Sequence, residues 1–160
     1  MRSLKVPAAC LSTLLTVLSG RAVGEQAPPA VSANAIPSAQ RMQPEELVQA
    51  LRAEGRDKPL VLQVGPHVLY AEAHVPGSEH IGATSQKSGL DALRERVKAE
   101  PHDRFIVLYC GCCPWTKCPN VRPAYDELVS LGFQKVKVMY IADNFGANWV
   151  AKGYPVEKGR

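Results

Sequence analysis

The 160-residue chain lacks several features that would assign a function class directly. It has no surplus of one charge beyond its N-terminal segment. The formal charge of +4 sets 19 basic against 15 acidic side chains, but Arg2, Lys5 and Arg21 belong to the first 24 residues. Without those three, 16 basic residues face 15 acidic ones, a net of +1, so the basic pI gives no footprint for nucleic acid. The sequence shows no internal repeat, which sets aside solenoids and propellers. It also has no confident membrane span: the longest apolar stretch, "VPAACLSTLLTVLSG" from Val6 to Gly20, is too short for one. No X-Pro step precedes a downstream strand that would face the cysteines, which speaks against a thioredoxin fold.

What is present begins with a secretory layout. Arg2 and Lys5 form a positive start, the apolar stretch follows, and "AVG" (Ala22 to Gly24) places small residues where a signal peptidase reads. Residues 1–24 are expected to be a signal peptide with Glu25 as the first mature residue, which puts the protein in the periplasm or outside the cell. An uncleaved anchor and a lipid-modified Cys10 are the alternatives, and Pro7 stands where a lipidated cysteine would have an aliphatic neighbour. Residues 25–41, rich in Ala, Pro and Ser, read as a flexible linker, and the folded domain is expected over residues 42–160. The composition, 46% hydrophobic and 21% charged, is that of one globular domain.

Within that domain, apolar runs alternate with amphipathic ones. "PLVLQV" (Pro59 to Val64), "RFIVLY" (Arg104 to Tyr109) and "KVKVMYI" (Lys135 to Ile141) read as buried strands. "QPEELVQALRAEG" carries Pro44 and two glutamates in a first turn and stops at Gly55, a helix. "LDALRERVKAE" and "VRPAYDELVSLGF" are further helices, and "NFGANWVAKG" is a short last one with Phe145 and Trp149 four apart. Alternation with short links predicts an α/β domain built on a parallel sheet, whose ligands gather at the carboxyl ends of strands. Cys110 stands at such an end.

Four of the five cysteines, Cys110, Cys112, Cys113 and Cys118, fall within nine residues, between a strand and a helix. A loop in that place turns backbone N–H groups inward, and the helix adds the positive end of its dipole. A thiolate there is expected to have a lowered pKa and to be nucleophilic near neutrality, with Lys117 as a local cation. Two other readings stand beside it. One is a structural clip of disulfides, which an exported chain permits. The other is zinc or a cuprous ion, against which all four thiols come from one loop, whereas structural zinc takes knuckles from separate segments. The "CGCC" stretch also has the spacing of a C-x-x-C redox pair.

The surroundings carry a resemblance. "HVPGSEHIGA" (His74 to Ala83) looks like the "HIPGA" stretch of rhodanese domains. "FIVLYC" resembles the strand that ends in their active-site cysteine, and "AYDELVSLGFQKVKVMYI" the helix and strand that follow. "NWVAKGYPVEKG" resembles their closing segment. The matches keep their order from Gln43 to Gly159. They imply a rhodanese-like α/β fold with a central parallel sheet flanked by helices on both sides. They also imply a sulfurtransferase in which Cys110 carries sulfane sulfur as a persulfide. The loop residues Gly111, Cys112, Cys113, Trp115, Thr116 and Lys117 would then bind substrate, with Cys112, Cys113 and Cys118 as resolving or disulfide cysteines. The reading includes no cofactor and no metal. Its partners are a small sulfur-containing donor and a thiol or protein acceptor, with no nucleic acid, no membrane span after signal removal, and a monomeric state.

The chain departs from that family pattern in two places. Gln63 and Gly65 stand where family members commonly carry Asp and Arg. The loop after Cys110 is longer by about five residues than is usual in the resemblance, and Pro114 removes an amide donor from it. Enlarged-loop relatives include phosphatases and arsenate reductases. A thiol–disulfide protein pairing Cys110 with Cys113 or Cys118, and a non-catalytic module for metal or a partner protein, are the alternative functions. His74 and His80 are expected to be structural or surface groups rather than ligands, Phe145 and Trp149 core, and Trp115 either a pocket wall or simple packing.

Overall fold

A computed structural model describes residues 36–159. The expected signal peptide and most of the expected linker lie outside the described residues. Three of the strands arise from the apolar runs: β2 (Leu60–Gln63), β4 (Ile106–Tyr109) and β5 (Val136–Met139). Two short strands, β1 (Arg41–Met42) and β3 (Glu79–His80), flank them, and the sheet order is β1-β5-β4-β2-β3. Every strand pairing within this sheet is parallel, with Leu60 opposite Ile106 and Leu108 opposite Val138. Parallel strands need crossovers, and these come as α1 (Pro44–Ala50), α2 (His67–Glu72), α3 (Lys87–Val97) and α4 (Val121–Ser130), while α5 (Phe145–Asn148) follows the last strand.

The period-two geometry of a strand divides each apolar run between two cores. Leu60, Leu62, Ile106, Leu108, Val136 and Val138 pack with Leu93 and Val97 of α3 and Val121, Ala124 and Leu128 of α4. Val61, Val107, Tyr109 and Met139 face the other way, against Leu47 of α1, Phe145 of α5 and Trp149. Both faces of the sheet are covered, which is why the central strands read as continuous hydrophobic runs.

Several elements differ from expectation. Helix α1 ends at Ala50, ahead of Gly55, and Gly55–Asp57 forms a separate single-turn 3₁₀ helix. The packed chain starts before Met42: Ile36 is 1% exposed in the α3/α4 core, and the Arg41 guanidinium donates to its carbonyl. Neither α2 nor β3 was legible, being only six and two residues long. They are held by side chains: the Tyr70 hydroxyl donates to the Ser78 carbonyl at 2.5 Å, and Arg96 grips the Glu79 carboxylate through two nitrogens. Among the described residues no helix is long and apolar enough to cross a membrane.

Helix α3 carries a glycine that its propensity argues against. A Cβ on Gly89 would lie 2.3 Å from the Ala83 carbonyl oxygen and 2.5 Å from its carbon. Backbone atoms cannot swing aside as a side-chain tip can. Gly89→Ala, a gain of about 1 kcal/mol on helix propensity alone, is therefore expected to lower stability instead, by about 1–3 kcal/mol of overpacking. Urea unfolding of the two proteins checks the sign.

Candidate functional site

Strand β4 is buried throughout and delivers Cys110 at its carboxyl end, 3% exposed. The chain then turns at Gly111, whose carbonyl accepts the Phe145 N–H at 3.0 Å, and this ties the loop to the start of α5. Cys112 and Cys113 are half-buried, the 3₁₀ turn Trp115–Lys117 follows, and Cys118 is 2% exposed just ahead of α4. All four cysteines are free thiols in this structure.

The loop folds back on itself and gathers its sulfurs. The Cys110 Sγ lies 3.3 Å from the Cys112 Sγ, which lies 3.0 Å from that of Cys113. The sulfurs of Cys110, Cys112 and Cys118 are all within 4.8 Å of one another, and among the described residues no histidine or carboxylate joins that group. Those three are the residues that could hold a metal ion.

The supporting polar groups come from three other elements. Gln63, at the end of β2 and 1% exposed, donates from Nε2 to the Cys110 carbonyl at 3.0 Å and accepts the Gly65 N–H at 3.2 Å. His80 donates to the Gly65 carbonyl at 3.1 Å, in the structural role expected of it. His74 likewise donates to the Tyr70 carbonyl at 2.8 Å and stacks on the Tyr70 ring. Asn120 precedes α4, but its side chain does not cap the helix. Its Nδ2 donates to the Cys110 Sγ at 3.4 Å, its Oδ1 accepts the Ser85 N–H at 3.0 Å, and its carbonyl accepts the Thr84 hydroxyl. The Cys112 N–H also serves the Cys110 sulfur.

The helix-terminal amides, expected at Cys110, meet a different sulfur. The Asn120 and Val121 N–H groups at the start of α4 face Cys118. The Cys118 thiol is lowered to about 6, first by hydrogen bonding from Cys110 and then by those amides, against burial. Cys110 is pushed up, by serving Cys118 and by burial, and Cys113 is pushed up to about 12 by burial and its contact with Cys112. The long loop explains the exchange: with seven residues between the two cysteines, Cys118 rather than Cys110 sits at the helix start. Among reduced thiols the first anion therefore belongs to Cys118.

Gly111 and Cys112 line a cavity of about 460 Å³ together with Asn144, Phe145, Val156 and Lys158. Trp115 is not among its walls. It is 8% exposed, meets the Tyr140 ring edge-on at 5.6 Å, and carries the Arg41 guanidinium 4.4 Å from its ring centre, which is packing. Thr116 and Lys117 face solvent. Of the loop residues singled out from the sequence, the fold thus brings Gly111, Cys112, Cys113 and Cys118 to Cys110 and turns the other three away. A second cavity, near His102 and Phe133, holds none of the loop's residues.

Sequence reasoning missed Asn120 and Thr84, and saw Gln63 and Gly65 only as departures. Asn120 ahead of a helix has the signature of a cap, which conceals its contact with sulfur.

Comparison with known proteins agrees with the fold. The chain is similar to the Alr3790 protein from Anabaena sp., at 20% identity over 74% of this chain and 92% of that one, with a TM-score of 0.56. It is similar to the BH2092 protein from Bacillus halodurans, at 20% identity over 74% and 76%, with a TM-score of 0.56. A rhodanese-related protein from Thermoplasma volcanium matches at 19% identity over 74% and 97%, with a TM-score of 0.51. No curated protein matches the chain. The model of the rhodanese-like domain matches residues 43–140, from just before α1 to just past β5. With Cys110 at the carboxyl end of the central strand of that match, the chain belongs to the rhodanese-like domain family.

Proposed function

We propose that this protein is a sulfurtransferase that carries sulfane sulfur as a persulfide on Cys110. The observation that supports this reading best is the placement of Cys110 at the end of β4, with the Cys112 N–H and the Asn120 Nδ2 both turned to its sulfur. In the first step the Cys110 thiolate attacks the outer sulfur of a donor such as thiosulfate, forming an S–S bond while the donor's own S–S bond breaks and sulfite leaves. The proton that Cys110 gives up passes to a base in solution, because the lowered Cys118 thiol is the weaker base of the pair. The two N–H donors stabilise the persulfide anion, and a thiol or a partner protein then removes its outer sulfur. Cys112 lines the cavity in front of the more deeply buried Cys110, so a donor entering there meets Cys112 first.

The test is the intact mass of protein incubated with thiosulfate or a polysulfide. One added sulfur, mapped by peptide analysis to Cys110, is expected. No adduct with any donor would end the reading. Export belongs to the same proposal, and in protein taken from the periplasm the same mass should place the first residue at Glu25.

A second reading, a dithiol–disulfide couple of Cys110 and Cys118, is favoured by the helix amides at Cys118. Oxidation would transfer two electrons and two protons to a disulfide acceptor and leave a Cys110–Cys118 bond. Protein oxidised by a glutathione redox buffer and returned to free thiols by dithiothreitol would support it. A loop that never forms that bond would remove it.

A further inference from the structure

We propose that Cys110, Cys112 and Cys118 form a three-sulfur binding site for a soft monovalent metal ion, Cu(I). The argument begins with geometry. A metal–thiolate bond of about 2.3 Å puts three sulfurs arranged in a plane around one ion about 4.0 Å apart. The spacings here are close to that value: Cys110 and Cys112 stand 3.3 Å apart, and no pair of the trio is more than 4.8 Å apart. An ion at the centre therefore needs only small side-chain rotations, the first of them a widening of the Cys110–Cys112 pair.

The donor set then selects the ion. Three sulfurs with no imidazole or carboxylate among them suit a soft cation. Structural zinc takes four ligands, and the fourth is hard to supply. Cys113 neighbours Cys112 at 3.0 Å and also meets Cys118, but it is outside the group of mutually close sulfurs that includes Cys110, so a fourth bond needs a larger movement of the loop. Water can approach only from the Cys112 side, because Cys110 and Cys118 are 3% and 2% exposed. Three-coordination is what Cu(I) accepts and zinc resists.

The surroundings complete a metal site. The Cys112 N–H and the Asn120 Nδ2 point at the Cys110 sulfur, and the Asn120 and Val121 N–H groups point at the Cys118 sulfur. Such donors orient the ligands and offset the negative charge that three thiolates bring. Asn120 is itself held by the Ser85 N–H and the Thr84 hydroxyl, so this outer layer is rigid. Cys112 reaches the 460 Å³ cavity and supplies an entry path. The site uses the sulfur that sulfur transfer would use, so the loaded ion and a persulfide on Cys110 exclude one another, but the binding claim stands without the transfer reaction.

The experiment titrates the reduced full chain, anaerobically and without any sulfur donor, with Cu(I) presented on a chromophoric chelator. One Cu(I) retained per chain is expected. Cys110→Ser, Cys112→Ser and Cys118→Ser should each lose it, Cys113→Ser should keep it, and Asn120→Ala should bind about 10–100-fold more weakly. X-ray absorption of the loaded wild type should show three sulfur neighbours and no nitrogen or oxygen, a readout that holds even if a serine variant fails to fold. Failure of the wild type to retain Cu(I), loss of binding in Cys113→Ser, a fourth sulfur in the absorption spectrum, or displacement of Cu(I) by equimolar zinc would each overturn the proposal.

Discussion

Gly65→Ala is expected to slow sulfur uptake at Cys110 by roughly 100-fold, the scale of an ångström-sized misplacement of a reacting group, and to lower stability by about 1–3 kcal/mol. A Cβ at this position would stand 2.6 Å from the Cys110 Sγ, 2.9 Å from the Gln63 Nε2 and 3.1 Å from the Cys110 carbonyl oxygen. The first two are side-chain atoms and can move, but each movement breaks a contact that builds the site. Rotating the sulfur away takes it from the Asn120 Nδ2, now at 3.4 Å. Displacing the Gln63 amide takes it from the Cys110 carbonyl, which then has to find another donor in a buried place. The backbone around Gly65 is also pinned, its N–H by Gln63 and its carbonyl by His80, so retreat of the main chain is opposed. Rates of persulfide formation measured beside thermal melts separate the two effects. Uptake and melting both at wild-type levels would mean that the sulfur does not lie against Gly65.

Trp149→Ala is expected to be the most destabilising single truncation, costing about 3–5 kcal/mol. That corresponds to a drop of roughly 10–20 °C in Tm for a domain of this size. Trp149 has no exposed surface and is the largest fully buried side chain. It stacks on Phe145 at 5.8 Å, Phe145 stacks on Tyr109 at 5.5 Å, and its Nε1 donates to the Pro155 carbonyl at 2.8 Å. The aromatic column ends beside the reactive loop, because the Phe145 N–H is what holds the Gly111 carbonyl. Loss of the indole should thus loosen the loop as well as the core, and uptake at Cys110 should fall at temperatures where the protein remains folded. Trp149→Phe, which keeps the stack and loses only the hydrogen bond and part of the volume, should recover most of both. Calorimetry and sulfur uptake on the two variants check this, and equal melting of wild type and alanine variant would contradict the packing.

Much of the architecture was legible because its signals are local. Leu60 to Gln63, Ile106 to Tyr109 and Val136 to Met139 read as buried strands because both faces of the sheet are covered, so no polar alternation interrupts them. Helix α4 was legible from the spacing of Val121, Ala124 and Leu128. Phe145 and Trp149, four apart, were assigned to the core and lie there. Where local signals are short, reading failed: α2 and β3 span too few turns or pairs to show a period, and tertiary contacts from Ser78 and Arg96 hold them.

The site divides along the same line. That Cys110 ends a strand and that three more thiols follow at once is a fact of covalent order, so the sequence alone determines it, together with the parallel α/β class. Which thiol receives the helix amides, that Gln63 holds the Cys110 carbonyl from 47 residues away, and that Trp115 turns into packing were decided by the tertiary structure. Pairing of β2 with β4 brings Gln63 and Gly65 against Cys110, and the path of the long loop hands the helix start to Cys118. Hydrophobic periodicity says which face of a segment is buried. It carries no information about which distant polar groups meet there, because those distances exist only once the strands are registered and the loop is closed.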